Sequence, residues 1–257
     1  MAKSGHEKRI LHEFILSIPN FNKESMKKEE YELSSNTLLL KWEETYKDED
    51  REFSFDGISD FDIWNKEPIK ILFLLKETNN DFQPKIPKQK ITGLCGLNMA
   101  RWNYAIKSLF ENSNIIPTFP QDDDLPNYLS DLGIALVEIK KIAGGGRSNN
   151  RIIESYAIKD KNFLKEQIGL INPKVILCCG TNSSYEIIYD WKPIKIDNNY
   201  FQDEDGNDCS FWIHNQRLII YFYHPTTIGK SPEIIYNLLC RMIKEGKAFE
   251  RLNLINC

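Results

Sequence analysis

The 257 residues suffice for one sizeable domain, and with 41% of them hydrophobic and 12% aromatic a packed core is expected rather than disorder. A net charge of −4 argues against a wholly basic nucleic-acid binder, but leaves room for a local basic groove, because steering depends on where charge sits. No apolar run reaches the roughly 18 residues of a membrane span, and the stretch MAKSGHEKRILHEF carries charge where a signal peptide has its apolar core, so a cytoplasmic protein is expected.

Residues 7–17 place Ile10, Leu11, Phe14 and Ile15 on one helical face, and SSNTLLLKWEETY predicts a second helix over 34–46. The acidic KDEDREFSFDGISDFD that follows has turn residues and no period, so it reads as a loop. Residues 1–66 are thus expected to form a helical extension packed on a core spanning 67–257. His6 and His12 read as surface positions on that extension.

From Ile69 the pattern changes. IKILFLL (69–75), GIALVEI (133–139), KVILCC (174–179) and RLIIYFY (217–223) are apolar runs of the kind expected of parallel strands buried on both faces. Between and after them lie helical patterns: Met99, Trp102, Ile106, Leu109 and Phe110; KNFLKEQIGLI (161–171); a stretch at 183–190; and PEIIYNLLCRMIKEG (232–246). Alternating strands and helices predict a three-layer α/β/α sandwich on a four-stranded, mostly parallel sheet. An Asp205-Gly206 step between two β-prone stretches predicts a small hairpin insertion ahead of the last strand.

In such sheets ligands bind outside the carboxyl ends of the strands. The first predicted strand runs into Lys76-Glu77-Thr78-Asn79-Asn80-Asp81-Phe82. The second runs into a glycine-rich loop, Lys140-Lys141-Ile142-Ala143-Gly144-Gly145-Gly146-Arg147-Ser148-Asn149, the third into Gly180-Thr181, and the last into His224-Pro225-Thr226-Thr227. Glycines let a backbone approach a ligand and its N–H groups hold an anion. From Lys140 to Arg151 there are four basic residues and no acidic one, which suits phosphate contact. No GK[ST] follows the glycines, so a P-loop is not indicated. A carboxylate at Glu77 could orient water or stabilise positive charge on a sugar. Glu138, inside a strand, either pairs with a lysine or reaches the pocket. The cysteines (95, 178, 179, 209, 240 and 257) form no CxxC pair, so neither zinc nor an iron–sulfur cluster is suggested, and free thiols are expected.

Taken in order, these strand ends resemble the uracil-DNA glycosylase superfamily. Its first strand is followed by a short polar motif (G-Q-D-P-Y, G-x-N-P-G or G-E-A-P-G) and its last ends in H-P-S or a close variant. Lys76-Glu77-Thr78-Asn79 occupies the first motif here and His224-Pro225-Thr226 the second. VEIKKIAGGGRSNN is similar to the family's second strand and loop, and KVILCCG to its third strand; the resemblance covers about 69–245. Lys76 and Asn79 replace the glycine and proline of the first motif, and Thr78 stands where the family has an aspartate or asparagine. Glu77 matches the catalytic glutamate of the G-E-A-P-G branch, without that branch's four cluster cysteines.

The resemblance implies a monofunctional DNA glycosylase that flips out a uracil or modified base, hypermodified cytosine included, and hydrolyses its N-glycosidic bond in repair or anti-phage defence. Glu77 would stabilise the sugar cation and position water, and His224 would donate a hydrogen bond to the departing base. Phe82 (or Tyr104) would stack on that base, with Asn79, Glu138 and Asn149 at its polar edge. Lys140, Lys141, Gly145, Arg147, Ser148, Thr226, Thr227 and Lys230 would meet phosphates. DNA is the implied partner of a monomer, with no metal and no organic cofactor. Two alternatives stay open: a catalytically silent nucleic-acid or nucleotide binding module, and a hydrolase acting on free nucleosides.

Overall fold

A computed structural model describes residues 26–79, 90–145, 148–194 and 199–254. The helix expected over 7–17 lies outside them. Among the described residues the chain is α/β, with eight α-helices and one seven-stranded mixed sheet. In chain order the elements are α1 (Lys28–Glu43), β1 (Gly57–Ile58), α2 (Phe61–Lys66), β2 (Ile71–Asn79), α3 (Gly93–Glu111), β3 (Ala135–Gly144), α4 (Asn150–Lys159) and α5 (Lys161–Ile171). They continue with β4 (Val175–Cys179), α6 (Asn182–Tyr189), β5 (Tyr200–Gln202), β6 (Asp208–His214), β7 (Arg217–Phe222), α7 (Pro232–Glu245) and α8 (Ala248–Leu254).

The strands lie in the order β1-β3-β2-β4-β7-β6-β5. The four predicted strands are β2, β3, β4 and β7; they are consecutive and pair in parallel. The expected four-stranded sheet is too small, however. Tiny β1 adds antiparallel to β3 at one edge, and the predicted hairpin, β5–β6, adds antiparallel to β7 at the other. Both faces of the central strands are covered, which explains their unbroken apolar runs. Ile71, Phe73 and Leu75 of β2 face a cluster built with Trp102 and Ile106 of α3, Leu239 of α7 and Leu252 of α8. Leu72 and Leu74 face the opposite cluster, with Trp42 of α1, Ile153 of α4, Ile168 of α5 and Tyr185 of α6. Each such fully buried side chain contributes about 1.5–3 kcal/mol.

The stretch read as a loop at 47–62 holds β1 and the start of α2, whose Asp60 side chain caps it by accepting from the Ile63 amide. It is tied to β3 by a buried polar knot. The Lys141 ammonium donates to both oxygens of Asp56 at 2.6 Å and to Gln167 Oε1 at 3.0 Å, and lies 4.7 Å from the Trp42 ring centre. Gln167 donates back to Asp56, and the Glu138 amide donates to Asp56 Oδ2. One charge pair, satisfied on every side, thereby joins segment 53–58, β3 and α5. The residues described include no helix long and apolar enough to cross a membrane.

Candidate functional site

The carboxyl ends of β2, β3, β4 and β7 form one rim, because four parallel strands in register must end on the same side. Glu77 lies at the end of β2, with its side chain only 7% exposed, and Lys140 Nζ of β3 sits 2.5 Å from its Oε2. The Glu77 carboxylate also rests on Gly144: a Cβ at that glycine would fall well inside van der Waals contact with it. Two contacts from β3, one ionic and one steric, therefore fix this carboxylate.

On the other half of the rim stands His224, half-buried just past β7. Its carbonyl accepts from the Thr227 amide at 2.9 Å and from the Thr227 hydroxyl at 2.7 Å, which closes the turn. The Asn98 side chain of α3 donates to the Pro225 carbonyl at 2.7 Å and anchors the turn from outside. The ring Nδ1 lies 2.8 Å from the Thr226 hydroxyl and 3.3 Å from the Thr226 amide. An amide N–H can only donate, so Nδ1 is the acceptor and the neutral ring carries its proton on Nε2. Burial, helped by the nearby charge of Lys76, lowers the imidazole from its usual range to about 4. At neutral pH His224 is thus an uncharged donor.

Lys76 and Gly180 join the two halves. Gly180, at φ +67°, packs so closely that a Cβ there would lie 3.2 Å from Lys76 Cε and 3.8 Å from His224 Cβ. Its amide donates to the carbonyls of Cys178 and Phe222, tying the ends of β4 and β7 together. Lys76 Nζ donates to Asn150 Oδ1 at 2.9 Å at the start of α4. Thr181 donates to the Leu74 carbonyl, and Thr78 is buried.

Glu138, on β3, pairs in register with Leu75 of β2 and lies two residues before Lys140, so it sits about 6–7 Å beneath the rim. It is 4% exposed, and its Oε2 has no hydrogen-bond partner among the described residues. Burial first, and then the Asp56 carboxylate, raises its carboxyl well above the usual range.

Several residues expected at phosphates have partners within the protein. Lys141 is fully buried in the Asp56 knot and reaches no ligand. Lys140 holds Glu77. Lys230 is bound by Asp203 at 2.6 Å and by Asp205, so it clamps the β5–β6 hairpin. The Thr226 and Thr227 hydroxyls are turned to His224. Asn149 is the N-cap of α4, its side chain accepting from the Arg151 amide at 3.0 Å. Gly145 is exposed and Ser148 half-buried beside it. Phe82, Arg147 and the Asn79 side chain lie outside the described residues, and Tyr104 is exposed on α3.

Gly144, Asn98 and Asn150 have structural roles at the rim that the residue pattern did not single out. Gly144 left a trace as one glycine among three, and Asn150 as the last residue of VEIKKIAGGGRSNN. A groove of about 500 Å³ lined by Gln202, Asp203, Arg241 and Glu245, among others, shares none of the candidate residues. The described residues hold no group of three or more His, Cys, Asp or Glu able to bind a metal, and their cysteines are free thiols. No protein-family model matches the chain, and no curated protein sequence matches it.

Proposed function

We propose that this rim excises a base from DNA: a DNA glycosylase of the uracil-DNA glycosylase kind, acting on uracil or a modified base. The observation that supports it best is the pairing on one rim of a fixed carboxylate, Glu77, with a neutral imidazole whose Nε2–H is unclaimed by the turn that holds it. N-glycosidic cleavage needs those two groups. Positive charge develops on the sugar as the bond lengthens, and a carboxylate stabilises it and orients the attacking water. Negative charge collects on a carbonyl oxygen of the departing base, and a neutral N–H donates to it. A fixed donor aimed at developing charge in a dry site contributes about 3–4 kcal/mol. A ring held neutral suits this role, because it gives a hydrogen bond without itself releasing a proton.

Flipping the nucleotide out costs a few kcal/mol, which phosphate contacts must offset. With Lys140, Lys141 and Lys230 engaged inside the protein, those contacts fall, among the described residues, to Gly145, Ser148 and exposed Arg151. The test is a panel of oligonucleotides carrying uracil, hydroxymethylcytosine or glucosylated cytosine, scored by strand scission after alkali. Scission at one base identifies the substrate and separates repair from anti-phage defence. Binding without scission for every base sinks the enzyme. That outcome would favour a silent nucleic-acid binding module, the reading that the Lys140–Glu77 ion pair supports, since it occupies one oxygen of the only carboxylate at the described rim.

A further inference from the structure

We propose that Lys76 is an amine nucleophile that forms an imine with the C1′ aldehyde of an abasic site, giving the protein a strand-cleaving activity on DNA that has already lost its base. The inference rests on the base-excision reading for its substrate, since an abasic sugar is what that reaction leaves in the pocket.

The argument is a comparison of lysines. Four were assigned to this region, and three hold their protons against carboxylates: Lys140 on Glu77, Lys141 on Asp56, and Lys230 on Asp203 and Asp205. Lys76 is different. Among the described residues its hydrogen-bond partner is the neutral amide oxygen of Asn150 at 2.9 Å; the Gly180 backbone and the uncharged His224 lie alongside, and the Glu77 carboxylate, itself held by Lys140, acts on it through space. An ammonium facing neutral groups gains little from its proton, and a compact amine on a flexible stem is the side chain suited to Schiff-base chemistry. Burial lowers Lys76 from its usual range, with only Glu77 acting in the opposite direction. Gly180 is a second sign. Its bare Cα leaves room for the Lys76 stem between β4 and the His224 turn, so the amine stays at the rim.

The chemistry balances without a co-reactant. The open-chain abasic sugar carries an aldehyde at C1′. The unprotonated Lys76 amine adds to that carbon, and uptake of one proton from solvent with loss of one water leaves a protonated imine. The imine acidifies C2′–H, whose proton passes to water. The C3′–O bond then breaks, and its electrons leave with the phosphate, which becomes the 5′ end of the downstream fragment. Water hydrolyses the imine and returns Lys76, with an unsaturated aldehyde on the upstream fragment.

The experiment supplies the full chain with duplex DNA whose abasic site was formed beforehand, so no base excision is required. Borohydride then reduces any imine to a stable protein–DNA adduct, and peptide mass spectrometry locates it. The expected result is an adduct on the peptide bearing Lys76, reduced to the level of a protein-free control in Lys76→Arg, which keeps the charge and loses the nucleophile. Thermal unfolding checks that this variant folds; if it does not, mapping on the unaltered chain decides alone. No adduct, or an adduct on any other amine, overturns the proposal. The two readings fail separately. Base release from the panel without trapping removes Lys76 as nucleophile and leaves the glycosylase. Trapping at Lys76 without release of any base removes the glycosylase and keeps the amine chemistry.

Discussion

Replacing Lys140 by methionine separates its two possible jobs, holding a phosphate or holding Glu77. The side chains of Lys140 and Glu77 are 9% and 7% exposed, with Nζ and Oε2 2.5 Å apart. At an effective dielectric of 20 that separation gives about 6–7 kcal/mol of gross attraction, offset by several kcal/mol of desolvation for each ion. The net value is modest, but removing one partner leaves the other charge buried, which costs about 3–5 kcal/mol. Both side chains keep some exposure, so the lower figure is expected. For a domain of this size about 3 kcal/mol lowers Tm by roughly 6–12 °C. Adding Glu77→Leu to Lys140→Met removes the orphaned charge and should recover most of the loss, to within about 1 kcal/mol. The assays are thermal unfolding of both variants and DNA affinity across a salt series. If Lys140 met a phosphate instead, Tm would stay put and the slope of log affinity against log salt would become shallower by about 0.9. That outcome refutes the reasoning.

The remaining expectations can be measured on the same preparations. His224 is neutral in the folded protein down to about pH 4 but takes a proton near 6.5 when unfolded, so the unfolded state binds more protons between those values and stability falls as pH drops through that window. The full shift would correspond to about 3 kcal/mol, reduced by half-exposure to about 1–2 kcal/mol. His224→Gln should flatten that part of the stability–pH curve, and an unchanged curve would contradict the assignment. Gly144→Ala places a methyl group where the Glu77 carboxylate rests, so base release should collapse while stability falls by only about 1–3 kcal/mol; unchanged release would dissociate Glu77 from the chemistry. Asp56→Ala leaves Lys141 buried without an anion and should cost about 3–5 kcal/mol, whereas Lys141→Met should leave DNA affinity and its salt slope untouched. DNA affinity as a whole should carry a shallow salt slope, around −3 or smaller in magnitude, because Lys140, Lys141 and Lys230 are engaged internally; a steep slope would place the DNA path on another face.

The centre of the fold was readable because its physics is local. β2, β4 and β7 are apolar on both faces, and a run such as ILFLL announces that without any knowledge of partners. The edges were harder. β1 has two residues and α2 six, too short for any period to emerge, and α4, whose first residues follow the glycine-rich loop directly, was not anticipated. β3 shows the limit most clearly. Its apolar pattern stops at Ile139, yet the strand continues through Lys140 and Lys141 to Gly144. Those lysines can occupy a strand because Glu77 and Asp56, 63 and 85 residues away in the chain, supply the carboxylates that make burial tolerable. A pairing over such a separation leaves no mark in either local stretch.

The same long-range pairing changes what a basic loop means. Read by composition, Lys140 to Arg151 is a phosphate cradle; read by contact, its first two cations act on protein carboxylates. What survives at the rim is a more selective arrangement. Glu77 is ion-paired and sterically fixed, His224 is neutral, and Lys76, among the described residues, is the one of the four lysines whose hydrogen-bond partner is a neutral group. A site built for phosphate would leave its cations exposed and its imidazole free to charge. Engaged or desolvated cations and an imidazole kept from charging are what the proposed bond-breaking at a sugar would call for. On the proposed base-excision reading, Lys76, not the glycine-rich loop, is the cation through which the two readings of the rim can be told apart.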